Sequence, residues 1–254
     1  MGKTANKERL DTALVRRGIA PSRERARALI MAGQVLVDGR SVDKAGTMIP
    51  LNAVCQLAET PAELKYVSRG GLKLEKALDT FHLDPTGLVA IDVGASTGGF
   101  TQVLLQRGAR KVYAVDVGYG QLAWTLRRDP RVVVMERTNI RHLTALPEPA
   151  QCATIDVSFI SLRLVLPALV PLLVRSPQTW IVCLVKPQFE AGKQEADRGA
   201  GVISDPQVHQ RVLSELRAWI PGHTPFVVES ETESPLLGRD GNKEFLFLLR
   251  MQES

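Results

Sequence analysis

One stretch constrains the fold more than any other: Val89-Ala90-Ile91-Asp92-Val93-Gly94-Ala95-Ser96-Thr97-Gly98-Gly99-Phe100. It starts as a short apolar run, which suits a buried strand. It then breaks into small, Gly-rich residues and passes into Thr101-Gln102-Val103-Leu104-Leu105, which suits a helix. A strand entering a helix through such a turn is the ligand-handling unit of an open α/β sheet. Glycine lets a ligand approach the backbone, and the helix start offers free N–H groups. Glycine used only for tight packing would explain the turn as well. The next strand decides between them, because Val112-Tyr113-Ala114-Val115 ends on Asp116. A carboxylate at that tip can accept both hydroxyls of a ribose, so the two features together predict a nucleoside-bearing cofactor.

A dinucleotide fingerprint reads Gly-x-Gly-x-x-Gly. Here Gly94 is followed by Ala95 and Ser96, so the second glycine is missing. Asp92 also places negative charge beside the turn, which suits a cation better than a diphosphate. S-adenosylmethionine (SAM) carries an amino group, a sulfonium and a ribose but no phosphate, and it fits better than NAD. Its expected contacts are residues 92–100 and Asp116, with Asn139 and Ile140 flanking the adenine after the third strand.

Apolar runs near 89–92, 112–115, 132–135, 153–156, 181–185, 226–229 and 245–249 read as strands. Helical patterns at 98–107, 120–128, 161–174 and 206–219 separate most of them. This alternation predicts a doubly wound, mostly parallel seven-stranded sheet, with room for an antiparallel edge partner among the last two strands. The loop 187–206, with Gly192, Gly199 and Gly201, is long enough to be a lid or binding loop.

A chain of 254 residues, 44% hydrophobic and 23% charged, has the composition of a globular protein. Its first ten residues are polar, so no secretory leader is expected. The longest apolar stretch, 164–174, is interrupted by Pro167 and Pro171 and falls short of the about 20 residues that span a bilayer. Cys55, Cys152 and Cys183 are widely spaced and read as reduced thiols of a cytoplasmic protein. The four histidines are scattered, so no metal site is expected.

The net charge of +5 is unevenly placed, since residues 1–60 hold ten Lys/Arg against six Asp/Glu. Arg9 to Arg17 reads as a short helix stopped by Gly18. Ser22 then caps a second helix to Met31, and Asp38-Gly39 turns a hairpin between short strands that run on to Leu57. This segment resembles the small α+β RNA-binding module named after the fourth small-subunit ribosomal protein. The likeness rests on Arg9-Leu10-Asp11, Gly18, Ser22-Arg23, Ile30, Gly33 and Val35-x-Val37-Asp38-Gly39. Basic charge and fold pattern coincide, so RNA contacts are expected from Arg9, Arg23 and Arg25, with Arg69 just ahead of the second domain. The expected division is an RNA-binding domain at 1–60, a linker at 61–67 and a catalytic domain at 68–254.

Ligands of an open α/β sheet collect at the carboxyl ends of its strands. Asp156 and Lys186 each end an apolar strand, and Glu244 immediately precedes one. A structural Asp–Lys pair would account for two of these residues but not for the set. The whole chain resembles the TlyA family of ribosomal RNA 2′-O-methyltransferases, often called haemolysins. The motifs are Ser68-Arg69-Gly70-Gly71-x-Lys73-Leu74, the stretch 92–101, Asp156-Val157-Ser158-Phe159-Ile160-Ser161-Leu162, Lys186-Pro187-Gln188-Phe189-Glu190 and Gly241-Asn242-x-Glu244. The resemblance implies an FtsJ-class domain with a Lys-Asp-Lys-Glu set at Lys73, Asp156, Lys186 and Glu244. It also implies methylation of cytidine 2′-hydroxyls in 23S rRNA of ribosomal subunits, with 16S rRNA as a second target. Forms with both activities tend to have a longer C-terminal tail than a chain ending at Ser254, which weighs against the second target.

In this reading Lys186 takes the hydroxyl proton, with Lys73 the alternative that the sequence leaves open; Asp156 orients Lys186, and Lys73 and Glu244 position the ribose. A lysine serves as a base only if burial and neighbouring cations lower its pKa. Three rival readings are weaker. An NAD-dependent oxidoreductase explains Asp116 but not the basic module. A membrane-lytic protein has only the family's common name behind it. A non-catalytic assembly factor leaves the four-residue set unexplained.

Overall fold

The structure, a computed structural model, describes residues 7–31, 33–57, 65–192, 195, 201–238 and 241–252. It divides into two compact units, Met1–Arg69 and Gly70–Ser254. Of the expected linker, residues 61–64 lie outside the described residues, as do residues 193, 194 and 196–200 of the expected 187–206 loop, whose first residues, Pro187–Glu190, form a short helix instead.

In the first unit, strand β1 (Lys7–Arg9) runs into the helix Leu10–Arg16, and a second helix spans Arg23–Met31. Ser22 Oγ accepts the Arg25 N–H at 3.1 Å and so caps that second helix. Strands β2 (Val35–Val37), β3 (Arg40–Ser41), β4 (Met48–Pro50) and β5 (Cys55–Leu57) follow, with β4 paired to β1 and β2 lying between β3 and β5. Asp38 and Gly39 both have positive φ, at 50° and 77°, as the tight hairpin between β2 and β3 requires. Leu10, Leu14, Ile30, Val35 and Ile49 form the centre of this unit's own core.

The second unit opens with the helix Gly70–Thr80 and carries strands β6 (Val89–Val93), β7 (Lys111–Val115), β8 (Val132–Met135), β9 (Cys152–Ile155), β10 (Trp180–Val185), β11 (Phe226–Glu233) and β12 (Phe245–Met251). They form one sheet in the order β11-β12-β10-β9-β6-β7-β8. Every residue of β6, β9 and β10 is buried, which is why these strands read as unbroken apolar runs. β12 is antiparallel to both its neighbours. The reversed strand therefore lies one place inside the sheet, with β11 outside it at the edge. The chain goes outward from β6 through β7 to β8 and returns to β9 on the other side of β6. Open α/β sheets take their ligands at such a reversal, here at the carboxyl ends of β6 and β9.

Three helices differ from expectation. Only Trp124–Arg127 of the 120–128 pattern is helical, because Gly118 and Gly120 belong to a turn whose Gly120 N–H is held by Glu136 at 2.9 Å. The 161–174 pattern gives an α-helix at Leu162–Leu169 and then a 3-10 turn at Val170–Leu172, since Pro171 supplies no N–H. The 206–219 pattern extends to His223. Among the described residues no helix is long and apolar enough to cross a membrane.

Candidate active site

The turn after β6 is built almost entirely from buried residues. Only Gly94 and Ser96 of the stretch 92–100 are partly open to solvent. Gly94 (φ 85°) and Ser96 (φ 48°) are both left-handed, and the helix Gly99–Gln106 begins straight after Gly98 (φ 97°). Asp92 lies beneath the turn with no solvent contact. It accepts the Thr101 hydroxyl at 2.6 Å and the Thr154 hydroxyl at 2.9 Å, and burial pushes its carboxyl up to about 6. Its role is to brace the turn from below.

Asp116, at the tip of β7, is half-buried. Its oxygens accept the Ser96 N–H at 2.8 Å and the Gly118 N–H at 2.7 Å. Each oxygen keeps a lone pair for a further donor. After β8, Asn139 caps a 3-10 turn and accepts the Arg141 N–H at 3.1 Å. Ile140, expected beside the adenine, is 5% exposed and packs in the sheet's core, which leaves Asn139 as the more accessible of the two.

On the other side of the switch point four charged residues form two ion pairs. Lys186 Nζ is 2.6 Å from Asp156 Oδ1 and also donates to Ser158 Oγ at 3.0 Å. Lys73 Nζ, from the helix Gly70–Thr80, is 2.5 Å from Glu244 Oε2. Burial pushes Asp156 up, but the charges of Lys186 and Lys73 outweigh it and hold the carboxyl below its ordinary value. Lys73 therefore acts on Asp156 as well as on Glu244, so the two pairs share one electrostatic site of zero net charge. Gly238 makes room for Glu244, because a Cβ there would strike the carboxylate.

Several neighbours escape a reading of residue types along the chain. Glu190 is 7% exposed; it accepts the Ser161 hydroxyl at 2.6 Å and the Leu162 N–H at 2.7 Å. It thereby ties the segment after Lys186 to the segment after Asp156. Only its place in the Lys186–Glu190 motif hinted at such a role. Phe159 is 81% exposed with φ at 64°, and its ring centroid is 5.1 Å from that of Phe189. In the first unit, Arg9 and Arg23 are both bonded to Asp11, and Arg25 is exposed on its helix. Arg69 is exposed and lies beside Gly33.

Residues 66–251 match the FtsJ-like methyltransferase family, and residues 8–55 match the S4 domain. The 16S/23S rRNA (cytidine-2′-O)-methyltransferase TlyA of Mycobacterium tuberculosis is 48% identical over 98% of this chain and 91% of its own length. Hemolysin A of Brachyspira hyodysenteriae is 37% identical over 94% of this chain and 98% of its own. A solved structure from Streptococcus thermophilus that carries the hemolysin name superposes with a TM-score of 0.74 at 44% identity, covering 99% of this chain and 90% of that one. The chain is thus a member of the FtsJ-like methyltransferases, and within them of the TlyA family, in which an S4 domain precedes the catalytic domain.

Proposed function

We propose that the protein transfers a methyl group from SAM to the 2′-hydroxyl of a cytidine in ribosomal RNA. The favoured target is 23S rRNA within its ribosomal subunit, with 16S rRNA as the alternative that methylation of small subunits decides. Residues 1–60 bind RNA, 61–67 link, and 68–254 catalyse. The observation that carries this reading is the convergence of Lys73, Asp156, Lys186 and Glu244 beside the Gly-rich turn, in a chain of this family.

The residues present fit the cofactor. Asp116 retains acceptor capacity for two ribose hydroxyls, and the turn lacks the second glycine of a dinucleotide fingerprint. Bound there, SAM supplies an electrophilic methyl on a sulfonium that leaves as a neutral thioether. Lys73 and Glu244 would position the ribose hydroxyl for attack. Lys186 Nζ, oriented by Asp156, first releases its own proton to solvent and then receives the hydroxyl proton as the O–C bond forms. Phe159 and Phe189 offer rings on which an unstacked base can lie.

Tritiated methyl transfer from SAM to isolated large and small subunits, followed by mapping of the modified ribose, tests the assignment. Lys186→Ala is expected to retain SAM and RNA binding while single-turnover methylation falls about 10²–10⁴-fold. Lys186→Arg keeps the charge but cannot give up its proton at accessible pH. If that variant binds both ligands and methylates at the native rate, Lys186 is not the proton acceptor.

A further inference from the structure

Asp11 stands in the first turn of the helix Leu10–Arg16, fully shielded from solvent, with three guanidiniums gathered on it. Arg9 donates from Nε to Oδ1 and from Nη2 to Oδ2, both at 3.0 Å. Arg23 Nη2 at 3.1 Å and Arg27 Nε at 3.3 Å donate to Oδ2, and the Thr12 hydroxyl at 3.3 Å donates to Oδ1. The Arg9 bonds, helped by Arg23 and Arg27, overcome burial and hold this carboxyl far below its ordinary value, so it stays ionised. The arginines themselves remain open, with side chains 45%, 53% and 54% exposed for Arg9, Arg23 and Arg27.

One carboxylate against three guanidiniums leaves a net charge of +2 in a single cluster. Three cations this close repel one another, and long arginine side chains lose rotamer freedom when fixed. A buried anion behind them offsets both effects before any ligand arrives. Each guanidinium has five N–H donors in a rigid fork. Most of those donors are not used on Asp11, and they suit the oxygens of a phosphate. Arg23 and Arg27 are four residues apart on the helix Arg23–Met31 and so share a face, whereas Arg25 makes no bond to Asp11.

We infer that Arg9, Arg23 and Arg27 form a phosphodiester-binding site assembled by Asp11, a positioning residue whose negative charge strengthens the binding of another anion. The inference rests on the RNA substrate proposed above and adds to it both Asp11 and Arg27.

The test measures binding of the full-length chain to 23S ribosomal RNA across a salt series. Asp11→Asn adds one positive charge to the protein. A preassembled site predicts weaker binding by about threefold to tenfold, with the log–log salt slope shallower by about one contact, roughly 0.7–0.9. Tighter binding, as expected from net charge alone, overturns the inference. Should Asp11→Asn unfold the unit, two surface variants decide. Lys7→Gln and Arg27→Gln each remove one exposed charge from the first unit, so a diffuse field predicts equal losses. The site predicts the larger loss for Arg27→Gln, and equal losses overturn it. A native chain without affinity for the RNA would instead defeat the substrate reading, a distinguishable result.

Discussion

Asp92 shows how much a single buried group can impose on the chain. Its carboxyl is pushed up to about 6, first by burial and further by Asp156, while the bonds from Thr101 and Thr154 pull the other way. An aspartate in an unfolded chain titrates at about 3.9. Between those values the folded chain holds a proton that the unfolded chain has lost. The group therefore favours folding more as pH falls from 6 toward 4, and above pH 6 it costs about 3 kcal/mol. Asp92→Asn removes this titration, and the other carboxylates cancel when variant and native chain are compared. The melting temperature of the variant minus that of the native chain is expected to rise by roughly 4–8 °C between about pH 4.5 and pH 7.5. A difference that stays flat with pH would show that Asp92 does not titrate in this window. From sequence, Asp92 reads as a charge facing the cofactor. Its burial follows from two threonine partners, one of them 62 residues away, which no local pattern reveals.

At the scale of elements, two glycines hold different parts of the site together. Gly94 leaves β6 with φ at 85°, and a Cβ there would lie well inside 3 Å of the Asp156 carbonyl oxygen. Gly238 leaves space for the Glu244 carboxylate. Gly94→Ala should lower SAM affinity and methylation together, and cost stability by at least about 1 kcal/mol, because strain at positive φ adds to the clash. Gly238→Ala should leave SAM affinity almost unchanged and slow methylation, by about 10²-fold for a displacement near 1 Å. Calorimetry with SAM beside single-turnover rates separates the two, and equal loss of SAM affinity in both variants contradicts this division. Elements of this kind are legible where a period or a turn residue is local. The seven strands, the Asp38-Gly39 hairpin and the Ser22 cap all follow from their own neighbourhoods. The inward place of β12 does not, since it depends on which partner its edge finds. The charged residues at strand ends stand out in the sequence because an ion beside a buried strand needs a reason. Their pairing does not, as Lys73 and Glu244 are 171 residues apart.

At the scale of the whole molecule, the two units have separate cores, one built from residues 10–55 and the other from residues 89–251. Charge is divided just as sharply, with most of the +5 carried by residues 1–60. The residues proposed for SAM and for proton transfer all lie in the second unit, and four of the five proposed RNA contacts lie within residues 1–60. A chain lacking residues 1–60 should therefore keep its fold and its SAM affinity, yet bind ribosomal RNA weakly. Each phosphate contact contributes about −0.7 on single strands and −0.9 on duplex to the log–log salt slope. Losing the Arg9, Arg23, Arg25 and Arg27 contacts should flatten that slope by about three to four units, and methylation of subunits should fall with it. The fall should appear in the concentration of subunits needed rather than in the single-turnover rate at saturation, because the four residues proposed for catalysis are untouched. Equal activity of truncated and full-length chains at low subunit concentration would mean that the second unit finds its target unaided. A truncated chain that fails even at saturation would mean that the first unit helps to orient the ribose as well as to hold the RNA.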